Sequence, residues 1–84
     1  MNVTAGTYES SDCLIRLSPS TTRKVIVESI VFDQFGEAIQ RVLNDTLDQY
    51  GVSAVQVECF DKGALDYTVR ARLITALKRG GYIE

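Results

Sequence analysis

The sequence predicts a small α+β domain, a mixed sheet with two helices packed on one of its faces. Three observations predict it. Short segments alternate apolar and polar residues, as half-buried strands do. Two longer stretches repeat their apolar residues every three or four positions, as amphipathic helices do. The predicted elements run in the order β-β-α-β-α, which places a helix between the second and third strands. The 84 residues suit one domain, read here as 1–84, and are too few for two. A chain this size buries only about 60–65% of the surface its unfolded form exposes, which leaves one modest core and little room for an enclosed active site.

Residues 1–12 show no periodicity and contain Gly6, Ser10 and Ser11, so they read as a loop or extended arm. Cys13, Ile15 and Leu17 alternate with Leu14 and Arg16 and predict a strand with one fully apolar side. Ser18-Pro19-Ser20-Thr21-Thr22 is a turn cluster around the only proline. Lys24 to Ile30 is rich in β-branched residues and predicts a second strand; the short link suggests a hairpin with the first. Asp33 is placed to cap a helix whose stripe is Phe35, Ile39, Val42, Leu43, Leu47 and Tyr50, with Gly51 ending it. Ala54 to Phe60 predicts a third strand, with Val55, Val57 and Cys59 on one face. A second helix is expected from Ala64 to Lys78, lined by Leu65, Val69, Leu73, Ala76 and Leu77, with Asp66 and Arg70 spaced to pair. A helical crossover makes the second and third strands parallel and right-handed in their connection.

Composition narrows function by exclusion. A net charge of −2 argues against nucleic-acid binding, which normally shows a basic face. No apolar run approaches the length of a membrane span. The N-terminal residues lack the basic and apolar regions of a signal peptide, so a cytoplasmic protein is expected. Histidine is absent, which removes the commonest general base and the commonest transition-metal ligand. Cys13 and Cys59 have no metal-ligand spacing, and each falls on the apolar face of a predicted strand, where a small buried hydrophobe is the plain reading. Glu9, Asp12, Asp45 and Asp48 are carboxylates of a predicted surface, without the burial that acid–base work requires. Together these features predict a chain that is not itself a catalyst and takes no metal.

What remains is a pair of neighbouring hydroxyls, Ser10 and Ser11, in a small, acidic stretch before the first predicted strand. Taken alone, they support only an exposed serine-rich turn. Asp45-Thr46-Leu47 approximates the Asp-Ser-Leu attachment motif of fatty-acid-type carriers, but it has threonine for serine and lies in mid-helix on a core stripe. That family is also a four-helix bundle, so this match is rejected.

Three stretches in collinear order carry a more specific resemblance. Ala5-Gly6-Thr7-Tyr8-Glu9-Ser10-Ser11-Asp12, followed by Leu14-Ile15-Arg16-Leu17, resembles the start of the citrate lyase acyl carrier (gamma subunit) family, which shows Ala-Gly-Thr-x-Glu-Ser-Gly-Asp and then Ile-Arg-Ile. Phe35-Gly36-Glu37-Ala38-Ile39 resembles its Gln-Phe-Gly-Asp-Ala-Ile segment. Asp61-Lys62-Gly63-Ala64-Leu65-Asp66, then Arg70-Ala71-Arg72-Leu73, resembles its Asp-Lys-Gly-Ala-Leu-Asp … Arg-Ala-Arg-Leu signature. One departure stands out: Ser11 replaces the family's usual glycine.

The resemblance implies a bacterial acyl carrier protein of citrate fermentation, a non-catalytic subunit of the citrate lyase complex that splits citrate to acetate and oxaloacetate. It implies 2′-(5″-phosphoribosyl)-3′-dephospho-CoA attached through a phosphodiester to Ser10, with Ser11 the second choice. The thiol of that arm would hold acetyl and citryl groups. The implied partners are an alpha subunit that transfers acyl groups, a beta subunit that cleaves citryl thioester, an arm-transferring enzyme and an acetylating ligase. Two alternatives stay open: the acyl carrier of malonate decarboxylase, with a similar arm, and a protein-docking adaptor that carries nothing. Any carrier needs an exposed serine, an arm tethered to a rigid body and a docking surface that releases quickly.

Overall fold

The strand with most to bury takes the middle of the sheet. The computed structural model describes residues 2–84, and the elements run β1 (Val3–Gly6), β2 (Cys13–Ser18), β3 (Arg23–Ser29), α1 (Phe32–Gln49), β4 (Val55–Asp61) and α2 (Asp66–Arg79). Strand β4 buries Val55, Val57, Cys59 and Asp61 on one face, and β2 buries Cys13, Ile15 and Leu17. The sheet order is β1-β2-β4-β3. Strands β1 and β2 are antiparallel, with Ala5 opposite Ile15, and β2 and β4 are antiparallel, with Ile15 opposite Cys59. Strands β3 and β4 are parallel, with Val27 opposite Cys59, as the helical crossover requires. Both helices cover one face, and their stripes (Ile39, Leu43 and Leu47; Val69, Leu73, Ala76 and Leu77) complete the core. The other face is open; there Arg16 pairs with Glu58 at 2.9 Å and lies over the Phe60 ring.

The α+β class, the mixed sheet and the one-sided helices are as expected, and three details differ. First, residues 3–6 form the edge strand β1, within the segment expected to be a loop or extended arm but not named as a strand. Four residues that include Gly6 are too short to show a period, and only pairing with β2 defines them. Second, β2 and β3 do not form a hairpin. They run in opposite directions as expected, but β4 lies between them. Two inter-strand spacings amount to roughly 9.6 Å, and residues 19–22 can bridge that gap at about 3.3–3.6 Å each, so a short link does not force adjacency. Third, the helix ends shift. The N-cap of α1 is Val31, with Asp33 inside the first turn, where its charge suits the helix dipole. Ser29 Oγ accepts the Val31 N–H at 3.1 Å and so serves that helix start.

Three residues read as helix-stripe positions are exposed: Phe35 at 53%, Tyr50 at 38% and Leu65 at 60%. All three sit at helix ends: Phe35 in the first turn of α1, Tyr50 at its C-cap and Leu65 at the N-cap of α2. Arg70 donates to Gln49 Oε1 at 2.5 Å, so the expected partner Asp66 is not the one it takes. Gly51 ends α1 as expected, with a φ of +67°, while the N–H of Val52 reaches back to the Leu47 carbonyl at 2.9 Å. No helix among the described residues is long and apolar enough to cross a membrane.

Candidate functional site

The connection from β1 to β2 is a turn whose geometry comes from its own residues. The Asp12 N–H donates to the Glu9 carbonyl at 3.1 Å, which closes a β-turn with Ser10 and Ser11 at its two central positions. Ser11 has a φ of +65°. Left-handed backbone at the third residue of a turn is glycine's niche and costs an L residue roughly 1–2 kcal/mol. The position where the carrier pattern has glycine is therefore the position where the backbone asks for it. Ser10 and Ser11 are both exposed, at the tip of the hairpin. Gly6 makes the approach to the turn possible: its φ is +92°, and a Cβ there would come 2.0 Å from the Cys13 carbonyl oxygen.

Asp12 fixes the base of this turn. Arg72, on α2, donates from Nε to Oδ1 at 3.0 Å and from Nη2 to Oδ2 at 2.9 Å. The Thr7 hydroxyl donates to Oδ2 at 2.7 Å, and the Cys13 N–H donates to Oδ1 at 2.7 Å. With the Arg72 guanidinium bound first and Thr7 second, the Asp12 carboxyl is held down at about 2. The turn is thus clamped to a helix instead of hanging from the strand as a free arm.

Lys62 clamps the other side. Its carbonyl accepts the Ser11 N–H at 2.8 Å, and its N–H donates to the Asp12 carbonyl at 2.9 Å, so the β2–β4 ladder continues past the strand ends into the turn. Its ammonium lies 4.8 Å from the centre of the exposed Tyr8 ring, two residues before Ser10 in the chain. Asp61, the residue before it, is fully buried and has a donor for each oxygen. Ser29 Oγ donates to Oδ2 at 2.8 Å, Gly63 N–H to Oδ2 at 3.1 Å and Ala64 N–H to Oδ1 at 2.9 Å. Asp61-Lys62-Gly63 makes the turn from β4 towards α2, and Asp61 holds it in place.

Beyond Lys62 the chain runs along a cleft of about 660 Å³ between the first turn of α1 and residues 63–67. Phe35, Ala38, Ile39, Ala64, Leu65 and Tyr67 are among its walls.

Cys13 and Cys59 are buried in the core with free thiols. The Cys13 thiol beside it, and then burial, push the Cys59 thiol upward, so it stays protonated and behaves as a small apolar side chain. The structure brings Ser10, Ser11, Glu9 and Asp12 into one turn, as the sequence grouped them. Sequence reasoning missed the Asp12–Arg72 grip and the placement of Lys62. Arg72 and Lys62 lie in the stretch from Asp61 to Leu73, and nothing in their spacing points to a partner so far away in the chain.

A family model described as malonate decarboxylase delta subunit (MdcD), of the ACP type, matches residues 1–80. The chain is 46% identical over 82 residues to the citrate lyase acyl carrier protein of Streptococcus mutans, covering 95% of this chain and 80% of that protein. It is 51% identical over 75 residues to the citrate lyase acyl carrier protein of Haemophilus ducreyi, covering 89% and 79%. The corresponding protein of Serratia proteamaculans is 49% identical over 77 residues, covering 89% and 76%. No solved structure matches the chain.

Proposed function

The chain belongs to the citrate lyase acyl carrier protein family, and from that premise we propose that Ser10 carries the phosphoribosyl-dephospho-CoA arm for a citrate lyase complex. The observation that carries the proposal is the turn itself: Ser10 stands exposed at its tip, while Asp12, Arg72 and Lys62 fix its base. A transferase must bring a bulky nucleotide donor to this oxygen, and an exposed turn admits it. Two active sites must then share the arm, and a rigid base keeps its anchor point fixed, which raises the effective concentration at each.

The surroundings of Ser10 suit such a group. The Lys62 ammonium, over the ring of Tyr8 two residues before Ser10, is a cation available to a phosphodiester at the turn. Asp12, two residues after Ser10, is paired with Arg72, so it adds little repulsion. Attachment removes the proton from Ser10 Oγ and forms its bond to phosphorus, and the donor's leaving group departs in the transferase site. When bound, the arm supplies a thiol that holds acetyl or citryl as a thioester. In this reading the chain's own residues present and hold the anchor, and acyl exchange and citryl cleavage belong to the alpha and beta partner subunits. An acetylating ligase primes the thiol. The complex works in the bacterial cytoplasm, and residues 1–84 act as one carrier unit.

The family model's description favours a second reading, the acyl carrier of malonate decarboxylase with a similar arm. One experiment separates these readings. The chain is made beside arm-transferring enzymes with the cofactor precursor, and the intact mass and fragment masses are read. A mass increase equal to the arm, mapped to Ser10, is the expected result. The loaded protein is then offered to purified subunits of each complex, and restored citrate cleavage without malonate decarboxylation is expected. No mass increase, with a transferase shown to load a known carrier, would leave the docking adaptor as the better reading.

A further inference from the structure

We propose that the cleft between the first turn of α1 and residues 63–67 seats the purine-nucleoside part of the arm; this rests on the carrier reading of Ser10. Four observations carry it. The cleft is continuous with the attachment turn, because Lys62 bonds through its main chain to Ser11 and Asp12 and the next residues, Gly63 to Tyr67, form the cleft wall. Two aromatic rings line it from different helices, Phe35 at 53% and Tyr67 at 72% exposure. Exposed rings of this size invite a flat partner, and a nucleobase stacks on aromatic side chains whatever its sequence context. Of the two carboxylates in the wall, Asp61 has its oxygens taken by Ser29, Gly63 and Ala64, and Asp66 is exposed at the first turn of α2, where the helix N-terminus offsets its charge. Gly63 leaves the entrance open, with nothing within 4 Å of the place a Cβ would occupy.

The order of groups in the arm fits this placement. The phosphoribosyl unit joins the serine, the adenosine follows, and the thiol ends the far side. The purine therefore lies near the anchor, within reach of a cleft that starts beside Lys62. Seating the base there fixes the root of the arm and leaves the thiol end free to visit two active sites.

The test compares apo and loaded full-length protein by nuclear magnetic resonance, after intact mass has shown loading on Ser10. Expected are backbone amide shifts at residues 35–39 and 63–67, with close proton contacts between the adenine ring and the Tyr67 ring. The Tyr67→Ala variant keeps its fold, since that side chain is largely exposed, and once loaded it loses the shifts at 35–39. Shifts confined to residues 7–13 in the loaded wild-type protein would overturn the proposal. Cleft shifts that arise only when a partner subunit is added would also overturn it and assign the cleft to protein docking. A failure at the mass step would instead strike the carrier reading, and the two failures are told apart by which measurement fails.

Discussion

Arg72 and Asp12 lie 60 residues apart in the chain and meet through two parallel hydrogen bonds of 3.0 and 2.9 Å. This fork joins the last helix to the turn that presents Ser10. Planar, two-point pairing is what a guanidinium does and an ammonium does not. Arg72→Met keeps the aliphatic stem over Gly6 and removes the fork. We expect it to lower stability by about 1 kcal/mol, because the Arg72 side chain is 40% exposed and solvent screens the pair. Amide exchange at residues 9–13 speeds up in the same variant, and loading of Ser10 slows. Arg72→Lys does not restore either property. Denaturant melts, hydrogen exchange and a loading time course read the three effects, and an unchanged exchange rate in the turn would separate Arg72 from the site.

The same contact sets a pH dependence. The Asp12 carboxyl sits at about 2 in the folded chain against 3.8 ordinarily. A carboxyl whose folded value is depressed stabilises the fold above its unfolded value, and that contribution is lost as pH falls through the folded one. Asp12 therefore contributes fully at neutral pH and progressively less from 3.8 down to about 2. After allowance for solvent screening the contribution is about 1–2 kcal/mol. Asp12→Asn is expected to remove this share of the acid sensitivity, leaving the shallower response of the other carboxylates. Melting temperatures of both proteins measured from pH 6 to pH 2 check it: the gap between them should narrow as pH falls.

These contacts show where sequence reading reaches its end. Val55, Val57 and Cys59 alternate within β4, and Leu43 and Leu47 repeat within α1, so local period alone reveals what they bury. The carrier signature likewise groups Ser10 with Asp12, because both lie within one short stretch. Strand order is different. Nothing in the short link at 19–22 says that β4 will enter between β2 and β3; that is decided by which strand has the most apolar surface to cover. Arg72 and Lys62 are distant from the serines in sequence, and only the assembled sheet brings them there. Phe35 and Leu65 share the helical period of core residues, yet they lie at the starts of their helices and stay exposed.

Asp61 offers a prediction about the fold beneath the site. Its side chain is fully buried and accepts from Ser29, Gly63 and Ala64. Removing the acceptor leaves these part-buried donors without their partner, at about 1–3 kcal/mol for each that water does not reach. We expect Asp61→Ala to destabilise by roughly 3 kcal/mol or more, which for a domain of this size lowers the melting temperature on the order of 15 °C. Ser29→Ala removes a single donor and should cost about 1 kcal/mol. Urea melts with unchanged slopes would show that both act on the folded state. A loss in Asp61→Ala no larger than in Ser29→Ala would mean that the loop amides do not depend on it.

Ser11 supplies the sharpest separation of backbone from chemistry. Its left-handed φ of +65° is a strain that glycine does not feel. Relief of about 1–2 kcal/mol is opposed by the roughly 0.5–1 kcal/mol of extra chain entropy that glycine brings to the unfolded state. Ser11→Gly should therefore stabilise the protein by about 0.5–1 kcal/mol. Ser11→Val, branched at Cβ, should destabilise it, because β-branched residues tolerate this region least. The same glycine variant removes the second hydroxyl, so loading that persists in full places the arm on Ser10. Ser10→Ala is the complement: it leaves the turn intact and should abolish loading. Loading that survives Ser10→Ala and disappears in Ser11→Gly would move the attachment to Ser11 and make the strained backbone itself part of what the transferase recognises.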